Sequence, residues 1–196
     1  DYEHFRNFFK TAGKLRDIHV QQKEMAKHEK ALGLELAFVH DYLKNLENQY
    51  ESDFYETLNE FDKELFNRYT SFLQDELSKY GDFDLYKWIV DFTYQKMHKA
   101  KQKIDKAQTA KNLHKVRSNL KDIMYYMEIV NSEDDLEPIS DENVKKAQSF
   151  LGDWHDNVVS YNTLQEFKEA NREIARKNTG TVEILEDYLV RKIHFQ

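Results

Sequence analysis

Between Lys111 and Glu128 the apolar residues Leu113, Val116, Leu120, Ile123 and Met127 recur every three or four positions. At about 100° per residue these five fall on one line along a helix, a spacing that a strand, with its side-chain period of two, does not accommodate. The same register places His114, Arg117, Lys121 and Glu128 on a second line beside the first. Solubilising lysines and arginines ordinarily occupy the face opposite the apolar one, where their charge stays hydrated. Here a histidine, an arginine and a lysine border the seam between this helix and its neighbour. Either carboxylates of the next helix neutralise that edge, or the edge forms a pocket for an anion.

Helix is also what the rest of the chain calls for. Five glycines and one proline among 196 residues are too few for a rich set of β-turns, and Lys, Glu, Leu and Ala are abundant, so the fold class is all-α. The pattern predicts a first helix over 2–31, with Phe5, Phe8, Ala12, Leu15 and His19 on its apolar side and a break at Gly33. It predicts further helices over 34–50, 53–79, 85–107 and 109–130. The Tyr80-Gly81-Asp82 turn follows the third. A sixth helix, capped by Ser140 or Asp141, extends to about Lys177. Asn178-Thr179-Gly180 ends it, and Thr181 caps the last. Phe54, Tyr55, Phe61, Phe66, Tyr69 and Phe72 recur at helical spacing and are expected to line a core.

The absence of cysteine excludes a disulfide framework and thiolate chemistry. No run of 18 apolar residues and no signal-peptide pattern occurs, so a cytoplasmic chain without a membrane partner is expected. The formal net charge of −7 argues against a general nucleic-acid binder, but the charge is unevenly spread. From Gln95 to Lys121 nine Lys or Arg, among them Lys96, Lys99 and Lys103, face one acid, Asp105; from Glu35 to Asp91 fourteen acids face five bases. A bound anion responds to the local field more than to the total.

Ala12-Gly13-Lys14-Leu15-Arg16-Asp17-Ile18-His19-Val20 aligns with Leu151-Gly152-Asp153-Trp154-His155-Asp156-Asn157-Val158-Val159, matching glycine, aspartate and the last valine. In an all-helical chain this duplication predicts two copies of one helical unit, 1–107 and 108–196. Gly152 follows His114 by 38 positions; by that spacing the first copy's histidine helix would precede Asp1, so the first repeat is expected to be truncated at its N-terminus.

Leu113-His114-Lys115-Val116-Arg117 followed by Leu120-Lys121, Tyr125 and Glu128, an acidic loop and Leu151-Gly152 through Asp156 resembles the CHAD family of conserved-histidine α-helical domains. The Ala12-Gly13 to Arg16-Asp17 segment resembles the matching element of that family's first repeat. The resemblance implies a bundle of two four-helix repeats with approximate twofold pseudo-symmetry. It also implies a basic groove between them that binds inorganic polyphosphate without catalysis or cofactor. On this resemblance His114, Arg117 and Lys121 belong to the basic helix, Lys14 and Arg16 to the glycine-aspartate helix. Lys10, Lys96, Lys99, Lys103 and His155 complete the candidate phosphate-binding set.

Polyphosphate carries roughly one charge per phosphate, so affinity would come from several cations acting together and would fall steeply with salt. Arginine grips phosphate oxygens in a bidentate way, and histidine adds a donor whose charge varies near neutral pH. No Gly-rich phosphate loop or His-Glu-x-x-His helix is present, so no catalytic residue is assigned. A metal held by His114, His155, Asp156 and Glu128 would lack the Glu-x-x-His spacing that bundle metal sites use. The alternative is a structural or protein-interaction bundle with a decayed anion site. The acidic balance favours it, and so does Met124, which stands where the family usually carries another arginine.

Overall fold

A computed structural model of the protein describes residues 2–106, 109–131 and 142–194. Among the described residues it contains α-helices and no strand: α1 (Tyr2–Leu32), α2 (Ala37–Asn59), α3 (Lys63–Leu77), α4 (Asp82–Lys106), α5 (Ala110–Asn131), α6 (Glu142–Ala170), α7 (Arg172–Lys177) and α8 (Thr179–Ile193). The all-α class is therefore as the turn-poor sequence requires. The predicted caps Ser140 and Asp141 lie outside the described residues. The chain divides into two compact units, one formed by 1–63 and 154–196, the other by 64–153.

In the first unit α1 packs against α2 across a sharp reversal. Gly33 takes φ +62°, and the Leu34 N–H bonds to the Glu29 carbonyl at 3.2 Å, the left-handed closure that a Cβ would oppose. The Glu29 carboxylate then accepts the Leu36 N–H at 2.8 Å and contacts His40 Nε2 at 3.1 Å. Leu36 has no side-chain cap to offer at the start of α2, so Glu29 fills that role from the preceding helix, and the Leu36 amide bond holds its carboxyl below the usual range. The core joins Ile18, Met25, Leu36, Val39 and Leu43 to Leu164, Phe167, Val182, Leu185 and Leu189. Phe167 is fully buried, its ring 5.4 Å from Phe38 and 5.7 Å from Tyr42.

Two carboxylates tie helices together in this unit. Glu47 on α2 accepts from Lys44 (2.7 Å) and from Gln22 (3.0 Å) and meets His19 Nε2 (3.0 Å), which holds its pKa at about 2. Glu186 on α8 accepts from Lys168 (2.6 Å) and Gln165 (2.9 Å) on α6. Burial works against its charged form, yet these hydrogen bonds outweigh burial and leave the carboxyl below its usual range. Ser160 Oγ donates to Gln21 Oε1 at 3.2 Å, both side chains buried, across 139 residues of sequence.

In the second unit α4 packs against α5. Val116, Leu120, Ile123 and Met127 are buried with Ala100, Val144 and Leu151, and Leu113 packs against them, so the apolar line read from the sequence is the core line. Phe92 stacks on Trp88 at 5.3 Å and meets Tyr126 edge-on at 4.8 Å.

Several expectations are corrected. The predicted break between 50 and 53 does not occur, because Glu51 and Ser52 do not interrupt a helix; α2 runs on to Asn59. The chain turns instead at Glu60-Phe61-Asp62, where the Phe61 amide bonds to the Leu58 carbonyl and its ring packs 4.6 Å from Phe8 and 5.6 Å from Phe5. His19 is exposed rather than at a packed core edge, drawn outward to Glu47, while Ile18, Gln21, Met25 and His28 are the buried residues of α1. Tyr55, Phe66, Tyr69 and Phe72 are not core: they are 40 to 58 % exposed, and α3 has no buried residue. The long sixth helix is interrupted at Asn171. Thr181 lies inside α8, which begins at Thr179, because the Asn178 side chain donates back to the Ile174 carbonyl (2.9 Å) and closes α7 there.

Candidate functional site

The ten candidate cations divide between the two units. Lys96, Lys99, Lys103, His114, Arg117 and Lys121 belong to the second; Lys10, Lys14, Arg16 and His155 belong to the first.

Within the second unit the α4–α5 hairpin brings its candidates to one pair of helices. Lys96 Nζ pairs with Asp122 Oδ2 at 2.5 Å and lies 5.1 Å from the Phe92 ring centroid. That contact fixes the antiparallel register, so the lysines in the second half of α4 and the basic residues in the first half of α5 share one end of the hairpin. Arg117 and Lys121 are half-buried, as their place beside the apolar line requires. Arg117 Nε is closed off from solvent and has no hydrogen-bond partner among the described residues. A buried donor on a charged group ordinarily finds an acceptor, since leaving it unmade costs about 1–3 kcal/mol. His114, one turn earlier, is exposed, as is Lys99, while Lys103 is half-buried.

Asp122 was not foreseen. The sequence marks its neighbour Lys121, and nothing local distinguishes Asp122 from a solvated acid. Only the pairing of residues 26 apart reveals that it neutralises Lys96. The expected carboxylate on the edge therefore exists for one lysine, and none is paired with Arg117 Nε.

In the first unit Lys10, Lys14 and Arg16 are exposed and His155 is half-buried. Lys14 Nζ stands 5.3 Å from the Tyr50 ring centroid, and Arg16 reaches Asp17 at 4.0 Å, so both have local partners. Among the described residues no group of three or more His, Cys, Asp or Glu is placed to hold a metal, and no helix is long and apolar enough to cross a membrane.

Compared with known families, residues 2–165 match the family model described as the CHAD domain. No curated protein and no solved structure matches the chain.

Proposed function

We propose that this chain, which belongs to the CHAD domain family, binds inorganic polyphosphate or a similar linear polyanion and catalyses no reaction of its own. The observation that carries this reading is Arg117, a half-buried guanidinium at the edge of a basic hairpin whose Nε has no acceptor among the described residues. Reduced solvent screening there strengthens attraction to a phosphate oxygen, which the guanidinium fork can hold in a bidentate way. Lys99, Lys103 and Lys121 add charge along the same hairpin and His114 adds a ring nitrogen, so successive phosphates of one chain would meet successive partners.

The fold is further read as two helical repeats, 1–107 and 108–196, related by an approximate twofold axis. Support comes from the 139-residue offset of the duplicated glycine-aspartate segments, at which Gln21 corresponds to Ser160, its own hydrogen-bond partner. A residue that meets its own counterpart is what an axis of twofold symmetry produces. At the same offset Glu47 corresponds to Glu186, and each ties its helix to the preceding long helix of its copy. A cytoplasmic setting suits the cysteine-free chain.

The test is calorimetric titration with long-chain polyphosphate at low salt and again at physiological salt. Saturable binding that weakens steeply between the two is expected, with short phosphates far weaker than long chains. Absence of any heat from long chains at low salt would sink the functional reading and leave the family membership intact.

A second reading, a bundle that holds another protein, is favoured by α3, where Phe72 and Leu73 are each 58 % exposed and Leu77 55 %. Cross-linking that captures a defined protein through α3 while polyphosphate gives no heat would favour it.

A further inference from the structure

Where α6, α7 and α8 meet in the first unit, a cavity of about 300 Å³ opens between Lys168, Arg172, Arg176, Thr179, Glu183 and Glu186. None of the ten cations discussed above lines it, and all of its residues lie beyond the 2–165 stretch that matches the family.

Its charges are arranged unevenly. Lys168, Arg172 and Arg176 follow one another at four-residue spacing across the interruption at Asn171, so the turn from α6 into α7 keeps all three on the cavity wall. Lys168 is committed to Glu186, whose second oxygen takes Gln165. Arg172 and Arg176 are both exposed and make no ion pair within 4.0 Å among the described residues, although Glu183 lines the same cavity. Two guanidiniums are thus left facing a concave space without a carboxylate of their own.

The start of α8 lies beside these arginines. A helix begins with amide groups that have no intrahelical acceptor, and a side-chain oxygen at the cap usually takes one of them. Here no side chain does. Asn178 Nδ2 points back to the Ile174 carbonyl at 2.9 Å, and Thr179 Oγ1 donates back to the Arg176 carbonyl at 2.7 Å. Both polar side chains at the junction finish α7 rather than cap α8. Thr179, the first residue of α8, lines the cavity beside Arg176.

We propose that this cavity is a second anion site, taking a compact phosphate dianion such as orthophosphate, diphosphate or the terminal phosphate of a small phosphomonoester. Arg172 and Arg176 grip its oxygens in their bidentate manner, and the uncapped first turn of α8 donates amides to the remaining oxygen. At about 300 Å³ the cavity has room for one such group. Glu183 limits affinity by facing the same space.

The test is a titration of the full chain with orthophosphate and, separately, diphosphate, read by amide chemical shifts and by calorimetry. Saturable shifts centred on Thr179, Gly180 and Thr181 are expected. Arg172→Ala/Arg176→Ala should weaken binding about tenfold or more, Glu183→Gln should strengthen it about two- to fivefold, and Lys23→Ala/Lys30→Ala, which removes as much charge from exposed positions of α1, should leave those shifts in place. Circular dichroism confirms that each variant is folded; because both arginines are exposed, folding is expected to survive their loss. Shifts spread evenly over surface lysines, equal losses in the two double variants, or an unchanged titration in Arg172→Ala/Arg176→Ala would each overturn the site.

Discussion

Replacing Arg117 by methionine separates binding from stability. The guanidinium Nε is buried without an acceptor among the described residues, and an unmade bond of that kind costs about 1–3 kcal/mol. Methionine keeps an unbranched apolar stem at this half-buried position beside the core line and removes that donor. The Met variant should therefore melt at the same temperature as wild type or a few degrees above it, at about 2–4 °C per kcal/mol for a chain of this size. Polyphosphate affinity should move the other way. Loss of one charge-assisted contact at reduced dielectric costs about 1.5–3 kcal/mol, or about ten- to one-hundred-fold in Kd. Lys101→Ala, on an exposed position of α4, should cost well under about 1 kcal/mol. Differential scanning calorimetry and low-salt titration calorimetry on the three proteins decide the matter. An Arg117→Met variant that melts several degrees lower and binds long chains as wild type does would refute the reasoning, because Arg117 would then be part of the scaffold and not of the site.

Three further outcomes follow from the first unit. Glu47 is held at about 2 by Lys44, Gln22 and His19, so its contribution to stability is complete above the ordinary carboxylate value of 4.5 and is lost as pH falls from there toward 2. Urea melts across that window should show a flatter pH slope in Glu47→Gln. His28 is buried against Tyr188, with Nε2 lacking a partner among the described residues. Burial foremost, with Lys27 and Lys192 adding to it and Glu24 opposing, lowers its pKa from 6.5. The unfolded chain then takes the proton first, so stability should fall as pH drops below 6.5, and chemical denaturation of His28→Phe should lack that fall. Gly33→Ala meets no atom within 4 Å, so only the φ of +62° opposes it, and a loss of about 1 kcal/mol in denaturant unfolding is expected.

The helical class and the α5 core line were legible because both depend on local period: Val116, Leu120, Ile123 and Met127 are buried as their spacing demands. The Gly33 reversal was legible for a similar reason, since a left-handed closure has few residues to choose from. Helix ends that depend on distant partners were not. The turn at Glu60-Phe61-Asp62 is set by the Phe5 and Phe8 rings more than 50 residues away, and the long sixth pattern hid the break at Asn171, which no glycine or proline marks. Periodicity also cannot say what a stripe faces. Phe66, Tyr69 and Phe72 on α3 carry the same spacing as core residues and are exposed. In the site, Arg117 at the core edge could be read from its register, whereas the capture of Lys96 by Asp122 required the packing of α4 on α5.

Identity along the two aligned segments understates how far the proposed repeat extends. Beyond the matched glycines and aspartates, Met25 and Leu164 stand at the same offset and are both fully buried, and Leu43 on α2 and Val182 on α8 share that offset and are both buried. Between them the connections differ: the first copy turns through Gly33 into α2, while the second passes through α7 before α8. The register nevertheless survives that difference, since Glu47 and Glu186 still stand 139 residues apart. Apolar positions tolerate exchange of one hydrophobe for another, so they lose sequence identity quickly while keeping their burial. A carboxylate that binds the neighbouring helix is less replaceable, because losing it leaves partly buried donors unmet. His28 shows the opposite case. The residue at this offset from it is Phe167, which fills the core without a polar side-chain atom, whereas His28 keeps a ring nitrogen with no partner among the described residues. On the proposed repeat, the two copies differ at His28 and Phe167, where a ring alone suffices, and agree at Glu47 and Glu186, where a charge joins two helices.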